Sequence, residues 1–119
     1  MNYKIVIDAG HGGDDPGSSG NGIIEKDLNL EISKYMYDRF RSLGIPVVMT
    51  RTTDETISPT ERVNRILNAF GNNSNVIVIS NHINAGGVKS KIVDELFNIE
   101  SLKNRIYIIK LYIEYKINF

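Results

Sequence analysis

Tyr3-Lys4-Ile5-Val6-Ile7-Asp8-Ala9-Gly10-His11-Gly12-Gly13 is the stretch on which the fold turns. Its first six residues are a short β-branched run, which predicts a buried strand over Tyr3 to Asp8. The next segment, Ala9 to Gly22, holds Gly10, Gly12, Gly13, Gly17, Gly20 and Gly22 together with Pro16. So much glycine disfavours helix and strand alike, and predicts a loop whose backbone comes close to something. Leu28, Ile32, Tyr35, Met36 and Phe40 then recur at helical spacing, and Leu43-Gly44 supplies a stop. A helix is expected from Glu25 to Leu43.

Beyond it, Ile45 to Thr50 reads as a second strand. Ser58-Pro59-Thr60-Glu61 reads as a helix start, with a Ser cap, Pro in the first helical position and Glu three residues after the cap. Val63, Ile66, Leu67 and Phe70 form the apolar face of that helix, and Gly71-Asn72-Asn73 ends it. Val76 to Ser80 is a third strand. An order β-α-β-α-β with continuous apolar strands indicates an α/β fold, a three-layer α/β/α arrangement around a mostly parallel sheet.

The bulk numbers narrow the function. A chain of 119 residues with 41% hydrophobic and 24% charged residues is one small globular domain. Fourteen basic residues balance fourteen acidic ones, so charge gives no argument for nucleic acid or a membrane surface. The absence of Cys removes disulfides, thiolate nucleophiles and Cys-type zinc sites together. No apolar run is long enough for a membrane span, and the N-terminus carries no signal-peptide pattern. Synthesis in the cytoplasm is expected, with the place of action a separate question.

Two His are available for chemistry. His11 follows the first strand immediately, and His82 lies two residues after the third. In an open parallel sheet the carboxyl ends of the strands line one edge, where ligands bind. Topology thus brings both His to one edge, and Glu25, at the start of the first helix, can point back at it. Two imidazoles and a carboxylate suit a tetrahedral zinc with one open position for water. Taken singly, a His after a strand is more often a loop or capping residue, and a Glu at a helix start is favoured there by the macrodipole. The residue pattern alone leaves both readings open.

The motifs add a resemblance. Ile7-Asp8-Ala9-Gly10-His11-Gly12-Gly13, Asp15-Pro16-Gly17, Glu25 and Ser80-Asn81-His82-Ile83-Asn84-Ala85 closely resemble the zinc-dependent N-acetylmuramoyl-L-alanine amidases of bacterial cell-wall hydrolases and phage lysins. Thr50-Arg51-Thr52-Thr53-Asp54 and Glu61-Arg62 also look like family features, and the match covers roughly residues 3–87. The resemblance implies Zn2+ bound by His11, Glu25 and His82. It further implies hydrolysis of the peptidoglycan amide between the lactyl group of muramic acid and L-Ala, with action at the cell wall. Asn84 and Arg51 are expected as substrate contacts or as supports of the ligands. For Asn84 the other reading is that it only shapes a loop; for Arg51 it is that it anchors a loop or pairs with Asp54.

After Gly87 the composition changes: residues 88–119 are rich in Ile, Lys, Asn and Tyr and contain no Gly, Pro, Ala or Thr. The family resembled normally continues with further elements and a strand carrying a second Glu, the general base and acid, whose loss typically costs about 10²–10⁴-fold. No such motif occurs here. Glu114 in Tyr112-Ile113-Glu114-Tyr115 is the nearest echo and the candidate catalytic acid, with the polar side of an edge strand as its other reading. The expectation is a division into residues 1–87, an amidase portion with the zinc ligands, and 88–119, an atypical tail replacing the family's C-terminal half, as an out-of-frame reading of an A/T-rich gene would produce. The sheet is then incomplete at the C-terminus, and its exposed edge invites self-association. Within the tail, Lys91 to Arg105 fits a helix. From Ile109 onward alternating apolar residues favour a strand over a helix. An impaired zinc-binding fragment that binds or regulates the wall is the alternative to an active amidase, and a metallohydrolase of another amide is a third reading.

Overall fold

The computed structural model describes residues 2–20 and 22–83 with their side chains, and residues 107–113 as a backbone strand. Strand β1 (Lys4–Ala9) is followed by two short strands, β2 (Ser19–Gly20) and β3 (Ile23–Ile24). Helix α1 (Glu25–Ser42), β4 (Val47–Met49), α2 (Pro59–Phe70), β5 (Val76–Ile83) and β6 (Tyr107–Ile113) complete the order. The main sheet runs β4-β1-β5-β6, and every pairing in it is parallel. This is the α/β sheet expected from the order of elements.

The side-chain period of two along each strand sorts the core into two faces. Val6, Val76 and Val78 turn to one side and meet Val63 and Ile66 of α2. Ile5, Ile7 and Ile79 turn to the other, against Met36, Tyr37 and Phe40 of α1. With a helix on each face, the sheet is the middle of three layers. Each such side chain stabilises the fold by roughly 1.5–3 kcal/mol when fully buried. The start of α2 follows its sequence signal: the Ser58 hydroxyl accepts from the Glu61 amide at 3.1 Å, with Pro59 as the first helical residue. At its end, Gly71 takes a positive φ of 80°, and its amide returns to Leu67 O.

Four expectations need adjusting. The glycine-rich segment is not all loop, because Ser19↔Ile24 and Gly20↔Ile23 pair as a short antiparallel hairpin. β5 runs on to Ile83, so His82 lies within the strand rather than beyond it. The extension is held on one side by Asn81 opposite Ala9, and on the other by β6 as far as Ile83↔Ile113. β6 itself begins at Tyr107, two residues before the alternation expected of it; residues 91–105 and 114–119 lie outside the described residues. Finally, Tyr35, expected on the apolar face of α1, is 73% exposed, while Glu25, Asn29 and Ser33 are buried. The first turns of α1 lie over the polar ends of β1 and β5, and only its later turns meet the apolar core.

Candidate metal centre

The carboxyl ends of β1 and β5 and the first turn of α1 converge as expected. His11 stands two residues past β1, His82 next to last in β5, and Glu25 first in α1. Their ligand atoms all lie within 4.8 Å of one another. One carboxylate oxygen is the hub. Glu25 Oε2 is 3.1 Å from His11 Nε2, 3.3 Å from His82 Nδ1, and accepts from the Ile83 amide at 3.1 Å. The two imidazoles stand edge to face, 5.1 Å apart at 84°. Glu25 Oε1 takes the Ser18 amide at 3.0 Å. His82 and Glu25 are buried, so the cluster reaches solvent on the side of His11.

Close approach of backbone to these rings explains two glycines. A Cβ on Gly10 would stand 2.7 Å from His82 Nδ1 and 2.8 Å from Asn81 O. At Gly17, where φ is +67°, it would stand 2.7 Å from both Glu25 Oε1 and His11 Cδ2.

His11 has a φ of 63°, the one non-glycine with positive φ among the described residues. A left-handed residue persists only where its surroundings hold it. Here two buried guanidinium groups grip three successive carbonyls. Ala9 O accepts from Arg51 Nε at 3.0 Å and Arg62 Nη1 at 2.9 Å; Gly10 O accepts from Arg51 Nη2 at 3.0 Å; His11 O accepts from Arg62 Nη2 at 3.0 Å. Asn29 Nδ2 adds a second donor to Gly10 O at 3.0 Å. Beneath the arginines lies Asp8, fully buried, paired with Arg62 at 2.6 Å and accepting from Thr50 Oγ1 at 2.9 Å and Ser80 Oγ at 2.6 Å.

The electrostatics follow from these partners. Burial pushes the Glu25 carboxyl up, but hydrogen bonds from His11, His82 and the Ser18 amide outweigh it and hold the group well below the usual carboxylate range. Burial likewise opposes ionisation of Asp8, and the Arg62 charge with the Ser80 and Arg62 hydrogen bonds overcomes it. Desolvation lowers His11, while Glu25 and Asp15 together raise it. The centre is thus a fixed anion flanked by two imidazoles.

That donor set fits zinc. Ligands about 2.0–2.1 Å from a tetrahedral ion stand roughly 3.3 Å apart, and Glu25 Oε2 stands 3.1 and 3.3 Å from the two imidazole nitrogens. Among the described residues this is the only group of three or more His, Cys, Asp or Glu so arranged.

Comparison with known proteins places the fold in a family. The N-acetylmuramoyl-L-alanine amidase family model matches residues 5–96. The chain belongs to this family. It is 38% identical over 86 residues to the sporulation-specific N-acetylmuramoyl-L-alanine amidase of Bacillus subtilis (strain 168), a match covering 71% of this chain and 32% of that protein. The catalytic domain of CwlV, an N-acetylmuramoyl-L-alanine amidase from Bacillus (Paenibacillus) polymyxa var. colistinus, superposes with a TM-score of 0.62 at 30% identity, covering 72% of this chain and 48% of that one. The amidase AmiC2 of Nostoc punctiforme gives a TM-score of 0.63 at 27% identity, covering 93% and 70%. The chain spans 32% to 38% of the length of such curated relatives.

Within this amidase-family fold the other expected residues fare differently. Arg51 is 2% exposed with its donors on Ala9 O, Gly10 O, Thr53 O and Lys26 O, so it anchors the loop. Its expected pairing with Asp54 gives way to Lys26, whose Nζ donates to Asp54 Oδ2 at 2.8 Å. Asn84 and Glu114 lie outside the described residues. Sequence reasoning left Asp8, Asn29 and Ser33 without roles and quoted Asp15 and Arg62 only as parts of motifs. For Asn29 the signal was present: Glu25, Asn29 and Ser33 follow one another at i, i+4, a polar stripe at helical spacing.

Proposed function

We propose that this chain is a zinc-dependent amidase that cleaves peptidoglycan between N-acetylmuramic acid and the L-alanine of the stem peptide. The observation that carries the reading is the convergence of His11, Glu25 and His82, with all ligand atoms within 4.8 Å, at the sheet edge of an amidase-family fold. His11, Glu25 and His82 would hold the metal. The chemistry that zinc supplies in such a site is polarisation of an amide carbonyl and activation of water at neutral pH. The chain's own contribution is positional. Arg51 and Arg62 fix the backbone that carries His11, the Ser18 and Ile83 amides orient Glu25, and burial of His82 and Glu25 keeps water off all but the His11 side.

The remaining expectations belong to this proposal: Glu114 as the acid and base of the amide cleavage, Asn84 as a substrate contact, a boundary near residue 87, and action at the cell wall. Self-association would use β4 or β6, the outer strands of the sheet among the described residues. Among the described residues no helix is long and apolar enough to cross a membrane.

The test is to incubate the zinc-loaded chain with purified peptidoglycan and quantify newly exposed N-terminal alanine. Release that disappears in His82→Ala is the expected outcome. A folded, zinc-containing chain that releases none would sink the amidase reading and leave a wall-binding fragment in its place.

A further inference from the structure

Asp15 stands apart from the three ligands and is half exposed, yet its carboxylate is aimed at one of them. Oδ2 lies 2.8 Å from His11 Nδ1. An ionised carboxylate only accepts hydrogen bonds, so Nδ1 must carry the proton of that contact. In the neutral ring the lone pair then falls on Nε2, the atom that stands 3.1 Å from Glu25 Oε2. A lone pair on that atom, at the point where Glu25 and His82 converge, is what a metal ligand requires.

Asp15 is itself held in place by its own loop. Its amide and carbonyl pair with Gly12, at 3.1 and 2.8 Å, closing a small bridge around His11, and its second carboxylate oxygen accepts from the Gly17 amide at 3.2 Å. The ring and its acceptor therefore sit on one braced turn. His82 has no equivalent, for among the described residues its Nε2 is buried with no hydrogen-bond partner. Of the two imidazoles, His11 is also the one nearer solvent, where an unsupported ring would be free to rotate.

We propose that Asp15 is a positioning residue that fixes the ring orientation and tautomer of His11 and thereby sets the metal affinity of the centre. The proposal rests on the zinc reading above. A bare surface ion pair would contribute almost nothing measurable, whereas an outer partner of a metal-binding His typically changes affinity 10–100-fold. The two roles are therefore separable by measurement.

The experiment compares wild type, Asp15→Ala, Asp15→Asn and His82→Ala. Zinc affinity is read by competition with a chromophoric chelator, the His11 tautomer by ¹⁵N shifts of the metal-free chain, and folding by the metal-free Tm. The expected result for Asp15→Ala is a roughly 10–100-fold weaker affinity, a His11 ring no longer confined to the Nδ1-protonated tautomer, and a Tm within a few degrees of wild type. Asp15→Asn should fall between, since its amide oxygen still accepts from Nδ1 but without charge. Unchanged affinity in Asp15→Ala, beside a wild type that binds and a His82→Ala that does not, would overturn this assignment alone. An affinity loss that merely tracks a collapsed Tm, with the tautomer unaltered, would overturn it as well. If wild type and His82→Ala bind zinc equally poorly, the metal reading falls, and the role of Asp15 with it.

Discussion

Strands β1 and β5 are buried over most of their length, all but Lys4 and Ile77, but their materials change partway. The first part carries Ile5, Val6, Ile7, Val76, Val78 and Ile79, which belong to the apolar clusters on the two faces. The last part carries Asp8, Ser80, Asn81 and His82, each at most 2% exposed and each bonded to a named partner. In the apolar half burial itself stabilises, and a lost methyl group costs its transfer free energy and the small cavity it leaves. In the polar half burial is a cost, offset residue by residue by partners that come from distant segments. One sheet therefore holds a tolerant half and an intolerant half, and the functional site sits on the intolerant one.

The sharpest way to break this comparison is Arg62→Met. It leaves Asp8 buried without its ionic partner, releases the carbonyl of His11 and takes from Ala9 O one of its two guanidinium donors. Loss of about 3–5 kcal/mol is expected, the cost of uncovering a buried charge, measured by urea unfolding of the metal-free chain. An Asp8→Asn/Arg62→Met double variant should recover part of it. A smaller effect is expected from acid. The folded-state pKa of Asp8 is depressed, so its contribution is present above the unfolded value near 3.8 and is lost as pH falls below it. The stability gap between wild type and Asp8→Asn should thus be constant above about pH 5 and shrink below about pH 4; a gap that stays constant down to pH 2 would refute the pairing. Smallest is Ile66→Val in the apolar half, expected to cost about 0.5–1.5 kcal/mol with zinc affinity unchanged. A larger loss than that of Arg62→Met would erase the distinction between the halves.

Sequence was a good guide where a local rule governs. The β-branched runs marked the strands. Ser58-Pro59-Thr60-Glu61 marked a cap that forms as expected. His11, Glu25 and His82 came together because parallel topology delivers strand ends to one edge. It was a poor guide where partners are far apart. Nothing local announces that Asp8 needs Arg62, 54 residues away, or that Arg51 spends its donors on backbone. Helix α1 misled for a related reason. Leu28, Ile32 and Tyr35 recur at the right spacing, but the helix turns Glu25, Asn29 and Ser33 inward because the strand ends beneath it offer Gly10 O and Asn81 Nδ2.

The glycine-rich segment is fastened to a second loop at three points. The Gly13 amide donates to Asp54 Oδ1 at 2.7 Å, the Asp14 amide donates to Thr56 Oγ1 at 2.9 Å, and Lys26 joins Gly13 O to Asp54 Oδ2. For anyone recombining such domains, residues 10–17 and 51–56 are one inheritable module despite the helix and strand between them. A chimera that swaps the first loop alone brings in amides whose acceptors stayed with the other parent, while one that swaps both carries the two amide fastenings and needs only a lysine at position 26 for the third.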